Sequence, residues 1–139
     1  MLAPVIINKA SRGAYNSYRG AAKSRGLNFY LCIDEFVTLV SQDCFYCGRS
    51  PQTENSVYNH KTKKVDTCMR NGIDRLDNNV GYEIDNCVPC CIMCNRMKMN
   101  NTLEDFFIQV SRIYNLHIKD NRDKPQMEDE DGKPSNANA

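Results

Sequence analysis

Two Cys-x-x-Cys pairs, Cys44-Phe-Tyr-Cys47 and Cys91-Ile-Met-Cys94, constrain the folding of this 139-residue chain more than any other feature. Each pair presents two thiolates from a short stretch of backbone, and two pairs supply the four sulfurs of one tetrahedral Zn²⁺ site. A redox pair needs no second Cys-x-x-Cys, and neither pair lies in a βαβ pattern. Cys87 and Cys90 offer a rival register for the second pair. Cys32 and Cys68 lack a Cys-x-x-Cys partner, and the plain reading of all four is a buried free thiol. A zinc held by Cys44, Cys47, Cys91 and Cys94 would join the start of a domain to its last short helix. With four thiolates it leaves no open coordination position, so its role would be architectural.

The length suits one domain that gains from a metal staple. No apolar run is long enough for a membrane span, and Met1 to Ala10 lacks the basic start and cleavage site of a signal peptide. The expectation is therefore an intracellular, cytoplasmic protein that is not secreted, a setting in which eight cysteines point to metal rather than disulfides. Formal net charge is +1, but Lys9, Arg12, Arg19, Lys23 and Arg25 face no acid in residues 1 to 33. Residues 120 to 139 carry six acids against three bases, which leaves +4 on residues 1 to 119. Such a basic body attracts phosphate backbone, although a basic face also keeps small proteins soluble.

Ala14, Tyr15, Tyr18, Ala21 and Ala22 recur at helical spacing, predicting a basic helix over Ala10 to Ala22 with Gly26 as its stop. Leu27, Phe29 and Leu31 alternate as an extended segment would. Asp34 to Val40 reads as a short helix with Phe36, Val37 and Val40 inward. Gly48 to Arg70 is polar and reads as a long loop or irregular hairpin. A hairpin over Gly72 to Pro89 follows, with Asp77-Asn78-Asn79 and Gly81 as turn chemistry, then a helix from about Cys91 to Met99. Asn101 and Glu104 have capping-box spacing. Leu103, Phe106, Phe107, Val110 and Ile113 form a helical apolar stripe, predicting a core helix. Beyond Lys119 the composition predicts disorder.

The order Cys-x-x-Cys, Ile73-Asp74-Arg75, Gly81-Tyr82, Asn86, then Cys91-Ile-Met-Cys94-Asn95-Arg-Met-Lys98 resembles the HNH endonucleases. The likeness is greatest to phage-type members and to a restriction-enzyme branch in which Arg follows the Asp. Tyr18 to Gly48, with Arg25-Gly26, Phe29, Phe36 and Cys-x-Tyr-Cys-Gly, resembles the leader of the phage-type members. The resemblance implies an α+β fold, a ββα-metal core stapled by the four-cysteine zinc site with flanking helices. It divides the chain into a basic N-terminal helix and lead-in (1–43), a zinc-stapled nuclease domain with its C-terminal helix (44–119) and an acidic tail (120–139).

The same resemblance implies that Asp74 and Asn95 ligate one divalent cation. Carboxylate and amide oxygens suit Mg²⁺ or Mn²⁺, and Asn95 is rotated about 100° from Cys94 on a helix, away from the zinc. Most members place a histidine general base after the Asp, oriented by an Asn that corresponds to Asn86. Here Arg75 takes that position, and an arginine cannot accept a proton near neutral pH. Arg75 is then expected to bind the scissile phosphate through its fork of donors. His60, upstream, is either a base delivered by the long segment or a solvated side chain beside Lys61, Lys63 and Lys64. Tyr82 packs a turn. Singly, Asp74 reads as a turn cap, Asn95 as a surface amide and Arg75 as an ion-pair partner.

These readings converge on a metal-dependent endonuclease that hydrolyses duplex DNA. Arg12, Arg19, Lys23, Arg25, Lys61, Lys63 and Lys64 would lie along the phosphate backbone, and Lys98 would be a phosphate contact or a solvated charge. Some relatives dimerise to cut both strands, so a homodimer is compatible. The alternative is a catalytically impaired zinc-containing module that binds nucleic acid, motivated by the absent histidine. A thiol redox protein is a third possibility.

Overall fold

In the computed structural model, which describes residues 5–119, the chain begins with a helix α1 (Lys9–Ser24) closed at its start by Asn8. The Asn8 side chain accepts from the Ser11 N–H at 3.0 Å, and the Ser11 hydroxyl accepts from the Asn8 N–H at 2.9 Å. This reciprocal cap satisfies two end donors. α1 buries Ala10, Ser11, Ala14 and Ala22, and these small side chains let neighbouring elements approach its backbone closely. Gly26, at a φ of +69°, ends the helix as its left-handed geometry requires, and the Leu27 N–H returns to the Ala22 carbonyl.

Helix α2 (Ile33–Val40) carries Cys32 at its N-cap, where the sulfur accepts from the Glu35 N–H and the Glu35 carboxylate accepts from the Cys32 N–H. Cys32 is therefore an exposed capping residue and not the buried thiol expected. Phe36, Val37, Leu39 and Val40 are buried. They join Leu31, Ile73, Tyr82 and Cys87 in the main core. Tyr15, Tyr18, Phe29, Phe36 and Tyr82 form a chain of ring contacts with centroids 5.2 to 6.1 Å apart. Tyr82 is thus a packing residue, as its sequence position suggests.

The segment expected as a loop or irregular hairpin is a regular antiparallel hairpin. Strand β1 (Thr53–Asn59) pairs β2 (Lys64–Arg70) from Thr53↔Arg70 to Asn59↔Lys64. Its pattern is inverted: the half-buried face is Asn55, Val57, Asn59, Asp66, Cys68 and Arg70, while Tyr58, Val65 and Met69 are exposed. Polar bonds replace apolar burial. Arg70 Nε donates to Asn55 at 2.6 Å and Asn59 to Asp66 at 3.0 Å, while Asn8 donates to the Thr67 carbonyl and the Lys9 N–H to Asp66.

A second, shorter hairpin follows. Strand β3 (Gly72–Arg75) pairs antiparallel with β4 (Cys87–Cys90), with Asp74 opposite Val88, and a 3-10 turn over Ile84–Asn86 enters β4. Helix α3 (Ile92–Lys98) completes a ββα unit and ends at Met99, φ +49°. The Asn101 amide donates to the Lys98 carbonyl and so closes α3.

One compact unit ends at Thr102 and a second begins at Leu103. In the second, α4 (Leu103–Tyr114) continues into a π-helical turn, Asn115–Lys119. Within the stripe Phe106 is buried, Leu103 and Val110 are half-buried, and Phe107 and Ile113 are more than two-fifths exposed. The tail expected to be disordered, 120–139, lies outside the described residues. No helix among the described residues is long and apolar enough to cross a membrane.

Candidate metal centres and nuclease site

The two knuckles meet because the first is docked on β4. The Phe45 N–H donates to the Pro89 carbonyl at 2.8 Å, and the turn closes with Gly48 N–H on the Cys44 carbonyl, Gly48 adopting a φ of +72°. The Sγ atoms of Cys44, Cys47, Cys91 and Cys94 lie within 4.8 Å of one another, with Cys47 and Cys91 3.8 Å apart. Four sulfurs so grouped fit one tetrahedral Zn²⁺. The rival register is not formed: Cys87 packs in the main core, and the Cys90 thiol donates to the Cys91 carbonyl.

The sulfur environments differ. Burial raises the Cys44 thiol, but backbone N–H groups of Cys91, Cys47 and Tyr46 outweigh it and lower the pKa to about 6. Burial and then hydrogen bonds to Cys47 and Cys91 push Cys94 up. Burial raises Cys87 to about 11, which keeps that thiol protonated and inert.

Beside this cluster, β3 carries Asp74, 5 % exposed, and α3 carries Asn95. The Asn95 amide reaches the Ile73 carbonyl at 3.5 Å, which seats it next to Asp74 along β3. Two donors hold Asp74 Oδ2: the Tyr46 hydroxyl at 2.6 Å and the Lys98 ammonium at 3.1 Å. Among the described residues Asp74 Oδ1 takes no hydrogen bond, and no buried side-chain oxygen lacks a partner, so Oδ1 reaches solvent. A carboxylate oxygen and an amide oxygen are a hard donor set that fits Mg²⁺ or Mn²⁺.

Lys98 corrects an expectation. Read as a phosphate contact or a solvated charge, it is fully buried, with its ammonium on Asp74 and 3.4 Å from the Arg75 carbonyl. Tyr46, in the first knuckle, was assigned no role by the sequence. Burial and then the Asp74 carboxylate raise its pKa, so it remains a neutral donor.

Arg75 and Asn86 organise the loop between β3 and β4. Arg75 Nη1 donates to the carbonyls of Asn78 and Val80 at 2.8 and 2.7 Å, and its guanidinium lies 5.5 Å from the Tyr82 ring centre. It pairs with carbonyls, not with an acid. Asn86 accepts from the Asp77 N–H and donates to carbonyls of Asp77 and Gly81. Gly81 packs so closely on Asn28 that a Cβ would overlap the Asn28 carbonyl oxygen. That contact carries the bond from Tyr82 N–H to the Asn28 carbonyl.

Arg12, Arg19 and Lys23 are exposed and, at i, i+7 and i+11, share one face of α1. Arg25 instead donates to the Tyr82 hydroxyl at 2.8 Å. Lys61, Lys63 and Lys64 cluster at the β1–β2 turn, exposed. His60 lies in a groove of about 570 Å³ with Lys9, Arg12, Lys61 and Asp66 at the start of α1. The Ile73 N–H meets the Tyr18 hydroxyl, nine residues further along α1, or about 13 Å of helix. The structure does not bring His60 to Asp74.

The fold is the α+β, ββα-metal architecture of the HNH endonucleases. A solved structure of the rare-cutting HNH restriction endonuclease PacI matches with a TM-score of 0.54 at 20 % identity, covering 83 % of this chain and 88 % of that one. In sequence, an uncharacterized protein of Acanthamoeba polyphaga mimivirus, R423, is 38 % identical over 108 residues. These are 78 % of this chain but 18 % of the mimivirus protein, so the chain spans about a fifth of that relative. No family model matches.

Proposed function

We propose that this chain is a metal-dependent HNH-type endonuclease that hydrolyses phosphodiester bonds in DNA by nicking or double-strand cutting. The observation that carries the reading is the seating of Asp74 on β3 and Asn95 on α3, side by side in a ββα unit that the four-cysteine cluster closes. Asp74 Oδ1 and the Asn95 amide oxygen would hold one Mg²⁺ or Mn²⁺. When bound, such an ion stabilises charge on the phosphate and on the leaving oxygen. Zn²⁺ in the cysteine cluster is architectural.

The chain's own groups supply the rest. Tyr46 and Lys98 hold the Asp74 carboxylate. Arg75 uses Nη1 within the loop, which leaves Nε and Nη2 as donors to a substrate phosphate. Asn86 keeps that loop in shape. The exposed Arg12, Arg19 and Lys23 face and the Lys61, Lys63 and Lys64 turn meet the phosphate backbone, which positions without specifying sequence. A homodimer would bring two such sites to opposite strands.

One observation favours a second reading, a catalytically impaired zinc-containing nucleic-acid-binding module. The position that carries the base in most HNH endonucleases is here an arginine engaged with two backbone carbonyls, and His60 lies at the far end of α1. The test is incubation of zinc-loaded protein with supercoiled plasmid in Mg²⁺ or Mn²⁺, with EDTA, Asp74→Ala and Asp74→Asn as controls. Nicking that the chelator and both variants abolish is the expected result. An intact plasmid, with DNA still shifted at low salt, establishes the binding module instead.

A further inference from the structure

Both bonds to Asp74 fall on the same oxygen, and they come from two different elements, the first cysteine knuckle and α3. Tyr46 belongs to the first cysteine knuckle, two residues from Cys44 and one from Cys47. Its hydroxyl is 2.6 Å from Oδ2. Lys98 is on the last turn of α3, four residues after Cys94, fully buried and 3.1 Å from Oδ2. A carboxylate held by one oxygen cannot rotate about its Cβ–Cγ bond without breaking both contacts, and here that fixes Oδ1 outward.

We infer that Tyr46 and Lys98 are positioning residues that set the direction of the Asp74 carboxylate and the charge beside it, so that divalent-cation binding depends on the integrity of the zinc knuckle. The inference rests on the cation site proposed above. The two partners act with opposite sign on affinity. The Tyr46 hydroxyl is neutral, orients Oδ1 and so favours the cation. Outer partners that orient a ligand commonly change metal affinity by about tenfold or more. The Lys98 ammonium orients as well, but its positive charge beside the carboxylate opposes a second cation. The four-cysteine cluster enters because it fixes the backbone on either side of Tyr46, and the Phe45 N–H bond to Pro89 locks that turn to β4.

The test is Mn²⁺ titration by calorimetry of the zinc-loaded full chain, comparing wild type with Asp74→Ala, Tyr46→Phe and Lys98→Gln. Zinc stoichiometry and thermal midpoint are measured on the same samples. The expected result is an Asp74-dependent Mn²⁺ site that weakens about tenfold in Tyr46→Phe at unchanged zinc content, and tightens in Lys98→Gln. A Tyr46→Phe variant that keeps its zinc and binds Mn²⁺ within about twofold of wild type overturns the inference and leaves the nuclease reading standing. If Tyr46→Phe loses zinc, Lys98→Gln decides, and an unchanged affinity there overturns it. A wild type identical to Asp74→Ala overturns both the inference and the cation site on which it rests.

Discussion

The two hairpins are built on opposite plans. In β1–β2, fourteen strand residues form a long ladder in which the inward face is mostly polar and Tyr58, Val65 and Met69 face out. In β3–β4, eight strand residues suffice, and Ile73, Asp74, Cys87, Pro89 and Cys90 are buried. The long hairpin is held by its own backbone and by side-chain bonds to the start of α1. The short one is too small to stand alone in water and depends on α3, the aromatic core and the cysteine cluster. The proposed cation site lies on the dependent hairpin, where surrounding structure holds Asp74 through Tyr46 and Lys98.

Disrupting the cluster and disrupting the long ladder therefore have very different expected costs. Cys94→Ser is expected to give the largest effect. Structural zinc contributes on the order of 10 kcal/mol in small domains, as much as the whole stability of most of them. The variant is expected to lose stoichiometric zinc by mass spectrometry and its cooperative thermal transition by circular dichroism. A Cys94→Ser protein that melts within a few degrees of wild type would mean that the aromatic core alone supports β3–β4.

Gly81→Ala is expected to come next. The added methyl meets the Asn28 backbone carbonyl, which cannot turn aside as a flexible side chain would. Overpacking of this kind costs about 1–3 kcal/mol. It also strains the Tyr82 and Tyr30 backbone bonds that tie the β3–β4 loop to the segment after α1. Denaturant unfolding measures the loss. A neutral outcome would show that the loop can shift without disturbing the core.

The same contrast explains what the sequence made legible. The cysteine cluster could be read because zinc ligands are paired locally, with two residues between them, and the pairs survive any arrangement of the chain between the pairs. Helices α1 and α2 could be read because each carries a periodic inner face, with Gly26 as the stop of the first and acids in the first turn of the second. The regularity of the β1–β2 hairpin was hidden because strand alternation signals itself through apolar residues on the buried face, and here four of that face's six residues are Asn, Asp or Arg. Lys98 was hidden for a related reason. A lysine reads as solvated unless a tertiary partner is known, and Asp74 lies on another element. Tyr46 was given no role, because its contact with Asp74 joins residues 28 positions apart.

The smallest effect is expected on the outer face of the long hairpin. Val65→Thr keeps a β-branched side chain, so strand preference is nearly conserved. Val65 is 61 % exposed, and the methyl exchanged for a hydroxyl therefore leaves little apolar contact behind. Its partner in the ladder, Tyr58, lies opposite and is 46 % exposed. Surface changes of this type fall within about 0.5 kcal/mol of neutral. The thermal midpoint of the purified chain checks this, at two concentrations so that self-association is visible. A loss well above that range would mean that Tyr58, Val65 and Met69 are covered in solution. The long hairpin would then share the dependence on neighbours that distinguishes the short one.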